Sequence, residues 1–249
     1  EITCRDWSSD VCSSDLSHID SSEHIAVWEK NAPFRREILN GCDMIYPSSE
    51  KEEILIKKNY GRHLPCTIIY NCIDKSKFSL ESGYGGEKCV LCVARICLRK
   101  NQLALAKACA DLGEKLILVG ETHNKHYLKK CLGYGNVEYR GFLKGEPLLR
   151  QYQAAKLHVL CSFVETPGLS SLEAASCGSN IVSTIEGSTE EYFGSMAIYC
   201  NPYRDGDITR AVAEGLMRNA QPELQQHILN NFNSENILQK LYESYLKII

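Results

Sequence analysis

The chain has 249 residues, with 28 Lys and Arg against 31 Asp and Glu and a formal net charge of −3. That near balance, without a basic repeat or an aromatic-interleaved basic patch, argues against a nucleic-acid partner. No apolar run reaches the roughly 18 residues of a membrane-spanning helix, and the thirteen cysteines, of which Cys92, Cys109, Cys161 and Cys177 fall on apolar patterns, suit a reducing cytoplasm rather than a disulfide framework.

In chain order, the first segment does not read as evolved protein. Asp6-Trp7-Ser8-Ser9-Asp10-Val11-Cys12-Ser13-Ser14-Asp15-Leu16 looks like a translated sequencing-library adapter, so residues 1–16 are set aside. They carry Arg5 and four acidic residues, which leaves 27 basic and 27 acidic residues and eleven cysteines in the remainder. Lys30 to Asn40 then reads as a helix and Asp43 to Pro47 as a strand. Ser49 to Tyr60 reads as a Ser-capped helix, acidic early and basic late, and Thr67 to Tyr70 as a second strand. The stretch Ser76 to Glu87, with Gly83, Gly85 and Gly86, fits a linker.

Beyond the linker, short apolar runs near residues 88–94, 115–119, 137–139, 157–161, 180–184 and 197–199 alternate with longer helical patterns. Such alternation predicts a parallel sheet with helices on both faces, and ligands bind such sheets outside the carboxyl ends of the strands. Arg95, Gly120, Gly141 and Glu165 each follow the end of a predicted strand. Gln225 to Ile249 carries Ile228, Leu229, Phe232, Ile237, Leu238, Leu241, Tyr242, Tyr245 and Leu246 at helical spacing, a core-packing stripe.

The most informative stretch is Glu165-Thr166-Pro167-Gly168-Leu169-Ser170-Ser171-Leu172-Glu173, which joins the strand Lys156–Cys161 to a small-residue helix. Gly168 allows close backbone approach, and the amides of Gly168, Leu169 and Ser170 open the helix, a place suited to phosphate. Glu173, about one turn further in, is placed for ribose hydroxyls, and Glu165 can reach polar groups beyond the phosphates. A second basic loop lies after Val90-Leu91-Cys92-Val93-Ala94, where Arg95 and Lys100 follow five residues apart.

The Glu-x7-Glu spacing followed by Ala174-Ala175-Ser176-Cys177-Gly178 resembles the signature of retaining glycosyltransferases of the GT-B fold, in family 4. Further matches fall in that family's order: Arg95 and Lys100, Lys115 to Gly120, Val137 to Leu143, the Glu186-Gly187-Ser188-Thr189-Glu190-Glu191 loop, and Asn201-Pro202. The resemblance covers about residues 88–220. Ala94 stands where the family usually has Gly, and Cys72 replaces Gly in Asn71-Cys72-Ile73-Asp74.

The resemblance implies a Rossmann-like doubly wound parallel sheet, the C-terminal GT-B domain, plus a remnant of an N-terminal Rossmann-like domain. On that plan residues 17–80 are the remnant, 81–222 the nucleotide-sugar-binding domain and 223–249 a C-terminal helix. A complete domain of about 100 to 200 residues does not fit upstream of the linker, so the sequence reads as truncated, beginning near Ser17, without its acceptor side.

The implied reaction moves a sugar from a nucleoside diphosphate sugar to an acceptor hydroxyl with retention. Arg95 and Lys100 would stabilise the departing diphosphate, Gly168, Leu169 and Ser170 would add backbone donors, Glu173 would hold ribose and Glu165 would orient the donor sugar. Gly120, Gly141 and Phe142 would line the donor site. The resemblance implies no cofactor and no metal; Asp205-Gly206-Asp207 sits at an expected helix start, with Asp207 as its cap. The Cys89/Cys92 pair has zinc half-site spacing but no second pair follows.

None of His18, His24 and His63 sits at a strand end, His123 falls in a polar stretch and His158 packs in or beside its strand. Localisation is expected to be cytoplasmic, with attachment to the inner face of a membrane and the acceptor left open. A GT-B sugar-nucleotide epimerase, which would be expected to lack the Arg95/Lys100 and two-Glu combination, and a non-catalytic nucleotide-binding module are the alternatives.

Overall fold

Apolar runs too short for core helices become strands here because they are bounded by glycine or polar turns and most are buried on both faces. The computed structural model describes residues 32–78 and 89–248; the adapter-like segment, His18, His24 and most of the expected linker lie outside them. In chain order the elements are α1 (Ala32–Asn40), α2 (Glu50–Tyr60), β1 (Val90–Val93), α3 (Gln102–Asp111), β2 (Leu116–Val119), α4 (Lys125–Leu132), β3 (Val137–Tyr139) and α5 (Glu146–Ala154). They continue with β4 (Leu157–Leu160), α6 (Leu169–Ser176), β5 (Asn180–Thr184), α7 (Thr189–Phe193), β6 (Ile198–Cys200), α8 (Asp207–Met217), α9 (Pro222–Asn231) and α10 (Ser234–Tyr245). A 3₁₀ turn, Leu98–Lys100, links β1 to α3.

The six strands form one sheet in the order β3-β2-β1-β4-β5-β6 with every pairing parallel. Alternate residues feed two cores, as the pleat requires. Val90, Cys92, Leu116, Leu118, Leu157 and Val159 point to one side, against α3, α4 and α8 through Leu105, Cys109, Tyr127, Cys131, Ala211 and Val212. Leu91, Ile117, Val119 and Ile181 point to the other, with Tyr152, Leu172, Tyr192, Phe193, Leu224 and Ile228. The doubly wound expectation therefore holds, with all six strands where the apolar runs lie.

Two expected strands do not form. Asp43–Pro47 and Thr67–Tyr70 run side by side, with Ile45 N–H donating to Pro65 O at 2.9 Å, Thr67 N–H to Ile45 O at 3.0 Å and Ile69 N–H to Pro47 O at 2.9 Å. Only one parallel bridge, Ile45 to Cys66, results. No third strand flanks this pair among the described residues, and a two-stranded ribbon alone is marginal. The C-terminal stripe is also divided: α9 ends at Asn231 and α10 starts at Ser234, so the single C-terminal helix expected over 223–249 is two. Ile228, Phe232 and Ile237 are buried, whereas Leu238, Tyr242, Tyr245 and Leu246 are exposed.

Residues 32–78 are fastened to the sheet domain through α7, α9 and α10. Tyr70 meets Tyr192 and Phe232 edge-on, with ring centroids 5.2 and 5.6 Å apart. Ile73 N–H donates to Phe232 O at 2.8 Å, and Ser234 N–H to Ile73 O at 2.9 Å. The Tyr192 hydroxyl donates to Ser48 O and accepts from Asn71 N–H.

The start of α2 carries a reciprocal cap. Ser49 Oγ accepts from Glu52 N–H at 3.0 Å, and the Glu52 carboxylate accepts from Ser48 N–H at 2.6 Å. The next two orphan amides, those of Glu50 and Lys51, donate to the Glu191 carboxylate at 2.6 and 2.9 Å. A carboxylate 140 residues away in sequence from Lys51 thus complements the helix dipole across the seam. Replacing Glu191 by Ala is expected to lower stability by about 1–2 kcal/mol in urea titrations and to speed amide exchange at Glu50 and Lys51. Unchanged exchange at those amides would show that the cap does not hold α2 in solution.

Candidate functional site

Because all six strands run parallel, their carboxyl ends open on one edge, and the strand order reverses direction between β1 and β4. The crevice at such a reversal is the usual ligand position in doubly wound sheets. Arg95 leaves β1 on one side of it and Ser162 to Glu165 leave β4 on the other. The Arg95 guanidinium is exposed and has no side-chain hydrogen-bond partner among the described residues, while its backbone carbonyl accepts from Gln102 Nε2 at 2.8 Å.

The end of β2 fits against β1 only because it lacks a side chain. Gly120 has φ 144°, and a Cβ there would lie 2.0 Å from Ala94 O. Ala94 itself keeps an ordinary backbone; the only non-glycine residue at positive φ among those described is Asn101. The clearance that glycine before the Arg would give is thus supplied by the neighbouring strand. Gly141, at φ 70°, accepts from Gly120 N–H at 2.8 Å, and Phe142 beside it is 61% exposed. A shallow surface cleft lined by Arg140, Leu143, Glu146, Pro147, Arg150 and Gln151 flanks this turn.

The loops after β1 and β4 are closed on each other. Phe163 N–H donates to Arg99 O at 3.0 Å, and Arg99 Nη1 to Val164 O at 3.1 Å. Lys100 Nζ forms an ion pair with Glu165 Oε1, and Ser162 Oγ donates to the same oxygen at 2.6 Å. Lys100, expected at the departing diphosphate, and Glu165, expected at the donor sugar, hold each other in this structure, and Glu165 is only 6% exposed. A buried pair of this kind adds little net stability, but removing one partner strands a charge.

The backbone of Glu165 is fixed as firmly as its side chain. Its N–H donates to Glu186 O at 3.0 Å and its carbonyl accepts from Ser188 N–H at 2.9 Å. Gly187, at φ 111°, lies so close that a Cβ would sit 1.7 Å from Glu165 O. The Glu186–Glu191 loop therefore carries Glu165 on one side and, through Lys51 Nζ donating to Gly187 O at 2.8 Å and through Glu191, α2 on the other.

Helix α6 starts at the same edge. Gly168 has φ 66° and serves as its N-cap, and Ser171 N–H donates to Gly168 O at 2.7 Å. The amides of Leu169 and Ser170 precede that first bond, as at any helix start. Leu169 is 43% exposed, so this end faces solvent. One turn along, Glu173 Oε2 accepts from the Tyr152 hydroxyl at 2.6 Å. Burial raises the Glu173 carboxyl above its usual range, and the Tyr152 bond opposes that shift.

Behind α6, His158 on β4 is wholly buried, as its strand position led us to expect. Val93 N–H points at Nε2 at 3.4 Å, which assigns the ring proton to Nδ1, 3.2 Å from Ser171 Oγ. Burial, with the nearby Lys100 charge, lowers the imidazole from 6.5 to about 3. The sequence reading missed Tyr152, Ser162 and Ser171 as parts of this site, because single hydroxyls carry no pattern of their own, and Arg99 because nothing in a basic loop marks the side chain that bonds to the facing loop.

Other candidate ligands fall elsewhere. Asp207 does not cap α8: Gly206 occupies the cap, while the Asp207 carboxylate accepts from Asn201 N–H at 2.7 Å and pairs with Arg210 at 2.9 Å. Cys89 and Cys92 are buried, and no cluster of three metal-ligating side chains occurs among the described residues. His63 Nε2 lies 3.3 Å from Asn40 Oδ1, and His123 is exposed. Among the described residues no helix is long and apolar enough to cross a membrane.

Residues 74–232 match the profile of the glycosyl transferases group 1 family. The chain belongs to this family. The α-monoglucosyldiacylglycerol synthase of Streptococcus pneumoniae is 27% identical over 188 residues, which cover 70% of this chain and 42% of that protein. An uncharacterized glycosyltransferase of Methanocaldococcus jannaschii is 25% identical over 73% of this chain and 56% of its own length. The chain thus spans about half the length of these curated relatives.

Among solved structures, sucrose-phosphate synthase from Thermosynechococcus elongatus superposes with a TM-score of 0.78 at 18% identity, over 95% of this chain and 64% of that one. The Anabaena protein HepE in complex with UDP and glucose superposes with a TM-score of 0.75 at 17% identity, over 88% and 67%. Both likenesses establish the fold, that of a glycosyltransferase domain of GT-B type.

The buried imidazole of this group 1 domain makes its stability depend on pH. Below 6.5 the unfolded chain takes up a proton on His158 that the folded chain refuses until about 3, so the residue removes stability as pH falls. The contribution is about 1.4 kcal/mol per pH unit between roughly pH 6 and pH 4. Urea titrations across that range should show a shallower dependence for His158→Gln than for the native chain; equal slopes would mean that His158 titrates normally.

Proposed function

We propose that the protein is a retaining, family 4 type glycosyltransferase that passes a hexosyl group from a nucleoside diphosphate sugar to an acceptor hydroxyl. The observation that carries this reading is the convergence of Arg95, Lys100 and the start of α6 at the reversal point between β1 and β4. Two cations and free helix amides at one strand edge suit a diphosphate whose charge grows as the glycosidic bond breaks. A structural neighbour bound to UDP and glucose supports a uridine donor.

Arg95, exposed and without a side-chain partner, is poised to take the diphosphate through its bidentate fork. Lys100 and Glu165 act as a coupled pair. In the donor complex the ammonium turns to the leaving diphosphate, and the carboxylate is released toward the sugar. The amides of Gly168, Leu169 and Ser170 complete the phosphate cradle, and Glu173 accepts from ribose. Gly120, Gly141 and Phe142 border the nucleoside. The two cations do the work that a divalent ion does in other sugar-transfer folds, and no cofactor takes part. None of the eleven described cysteines is in a disulfide, which fits a cytoplasmic setting.

Calorimetric titration with UDP, GDP and ADP in EDTA should reveal tight binding of one nucleotide, weakened about tenfold or more in Arg95→Ala. With that nucleotide's sugars as donors, the full protein should form a glycoside of unchanged anomeric configuration. No binding of any of the three to a sample shown to be folded would sink the proposal. Binding without turnover by the full protein would favour a nucleotide-binding module.

A further inference from the structure

Glu173 reaches its position from α6, but one of its two oxygens is already taken. The Tyr152 hydroxyl, carried by the last turn of α5, donates to Oε2 at 2.6 Å. Tyr152 has no exposed surface and is held among the second core's side chains, with its ring 5.9 Å from Phe78 and 6.0 Å from His158. The phenol is therefore immobile in a way that a surface side chain cannot be. The only hydrogen bond described for the carboxylate goes to Oε2, so Oε1 is left for a ligand.

A glutamate in a helix ordinarily samples several rotamers, and fixing it on binding costs conformational entropy. A carboxylate already held by a rigid donor avoids most of that cost. A neutral donor also keeps the carboxylate in the charged form against burial without competing as a counter-ion. A Lys in the same place would neutralise the very charge that two ribose hydroxyls need.

We propose that Tyr152 is a positioning residue that presets Glu173 for recognition of the ribose diol of a nucleotide. This rests on the assignment of Glu173 to ribose made above. Tyr152 does not touch the donor itself; it acts through the carboxylate it orients. Ser162 stands to Glu165 as Tyr152 stands to Glu173, since each carboxylate at this edge accepts from one buried hydroxyl.

The test compares Tyr152→Phe, which removes only the hydroxyl, with the native chain. UDP, GDP and ADP and their 2′,3′-dideoxy counterparts are titrated by calorimetry from acid to neutral pH. The native chain should prefer the ribonucleotide it binds by about tenfold or more. Tyr152→Phe should lose most of that preference and should move the acid limb of ribonucleotide binding to higher pH, because the carboxylate loses a bond that favours its charged form. Dideoxynucleotide affinity should stay the same.

A native preference for ribose that Tyr152→Phe keeps in full, with an unmoved acid limb, overturns the role of Tyr152 alone. Native binding with no ribose preference overturns the assignment of Glu173 and the role of Tyr152 with it. Should Tyr152→Phe fail to fold, a ring-fluorinated tyrosine at that position, a stronger donor of nearly the same shape, must shift the acid limb the opposite way. An unmoved limb there refutes the proposal equally.

Discussion

Parallel pairing of β1 with β4 is the constraint from which the rest follows. Val90 and Leu91 sit in register with Leu157 and His158, so two strands separated by more than sixty residues of chain deliver their following loops to one place. Parallel strands cannot be joined by tight turns, and every return must cross a face of the sheet as a helix. The chain ends of β1, β2, β3 and β4 therefore share an edge, and that edge collects Arg95, Gly120, Gly141 and Glu165. Without that pairing the Lys100–Glu165 contact, spanning 65 positions, could not form.

Around the edge, most polar groups removed from water are paired, as burial demands, although Arg99 Nε and Asn101 Nδ2 are buried without a partner among the described residues. Lys100 and Ser162 both answer Glu165, Tyr152 answers Glu173, and His158 stands between Val93 and Ser171. The Lys100–Glu165, Tyr152–Glu173 and Val93–His158 contacts each join two different segments of the chain, so the rigidity of the sheet is passed to the site. The Arg95 guanidinium, by contrast, is exposed and makes no side-chain hydrogen bond among the described residues. It is also the group that an anionic ligand would meet with the least competition from the protein.

The Glu186–Glu191 loop joins two regions that the chain separates widely. Its Gly187 backbone lies against Glu165, and its Glu191 closes the start of α2. Movement of residues 32–78 against the sheet domain would pull on the same loop that holds Glu165. The fastening is mixed: an aromatic cluster of Tyr70, Tyr192 and Phe232, which tolerates small shifts, and directional bonds to Glu191 and Tyr192, which do not.

Much of this was legible in the chain itself. A run such as Leu116–Val119 is buried on both faces, so it is apolar throughout and declares itself without help from neighbours. Gly168 before Leu169 and Ser49 before Glu50 mark helix starts through local backbone chemistry. The strands expected at Asp43–Pro47 and Thr67–Tyr70 fail because strand formation depends on a neighbour that local sequence does not contain. The break between α9 and α10 was hidden because Phe232 and Asn233 continue a helical spacing. What ends the helix is the pairing of Ile73 with Phe232 and Ser234, a contact from far upstream.

The sequence by itself determined the alternating elements, the parallel sheet and the charged and glycine positions at the strand ends, since these follow from periodicity and short-range backbone preference. Only the tertiary structure decided that Lys100 faces Glu165, that Glu191 caps α2 and that Tyr152 holds Glu173. Those contacts depend on which side chains the strand register and helix packing bring within hydrogen-bonding distance, and no local pattern encodes a distance between residues so far apart in the chain.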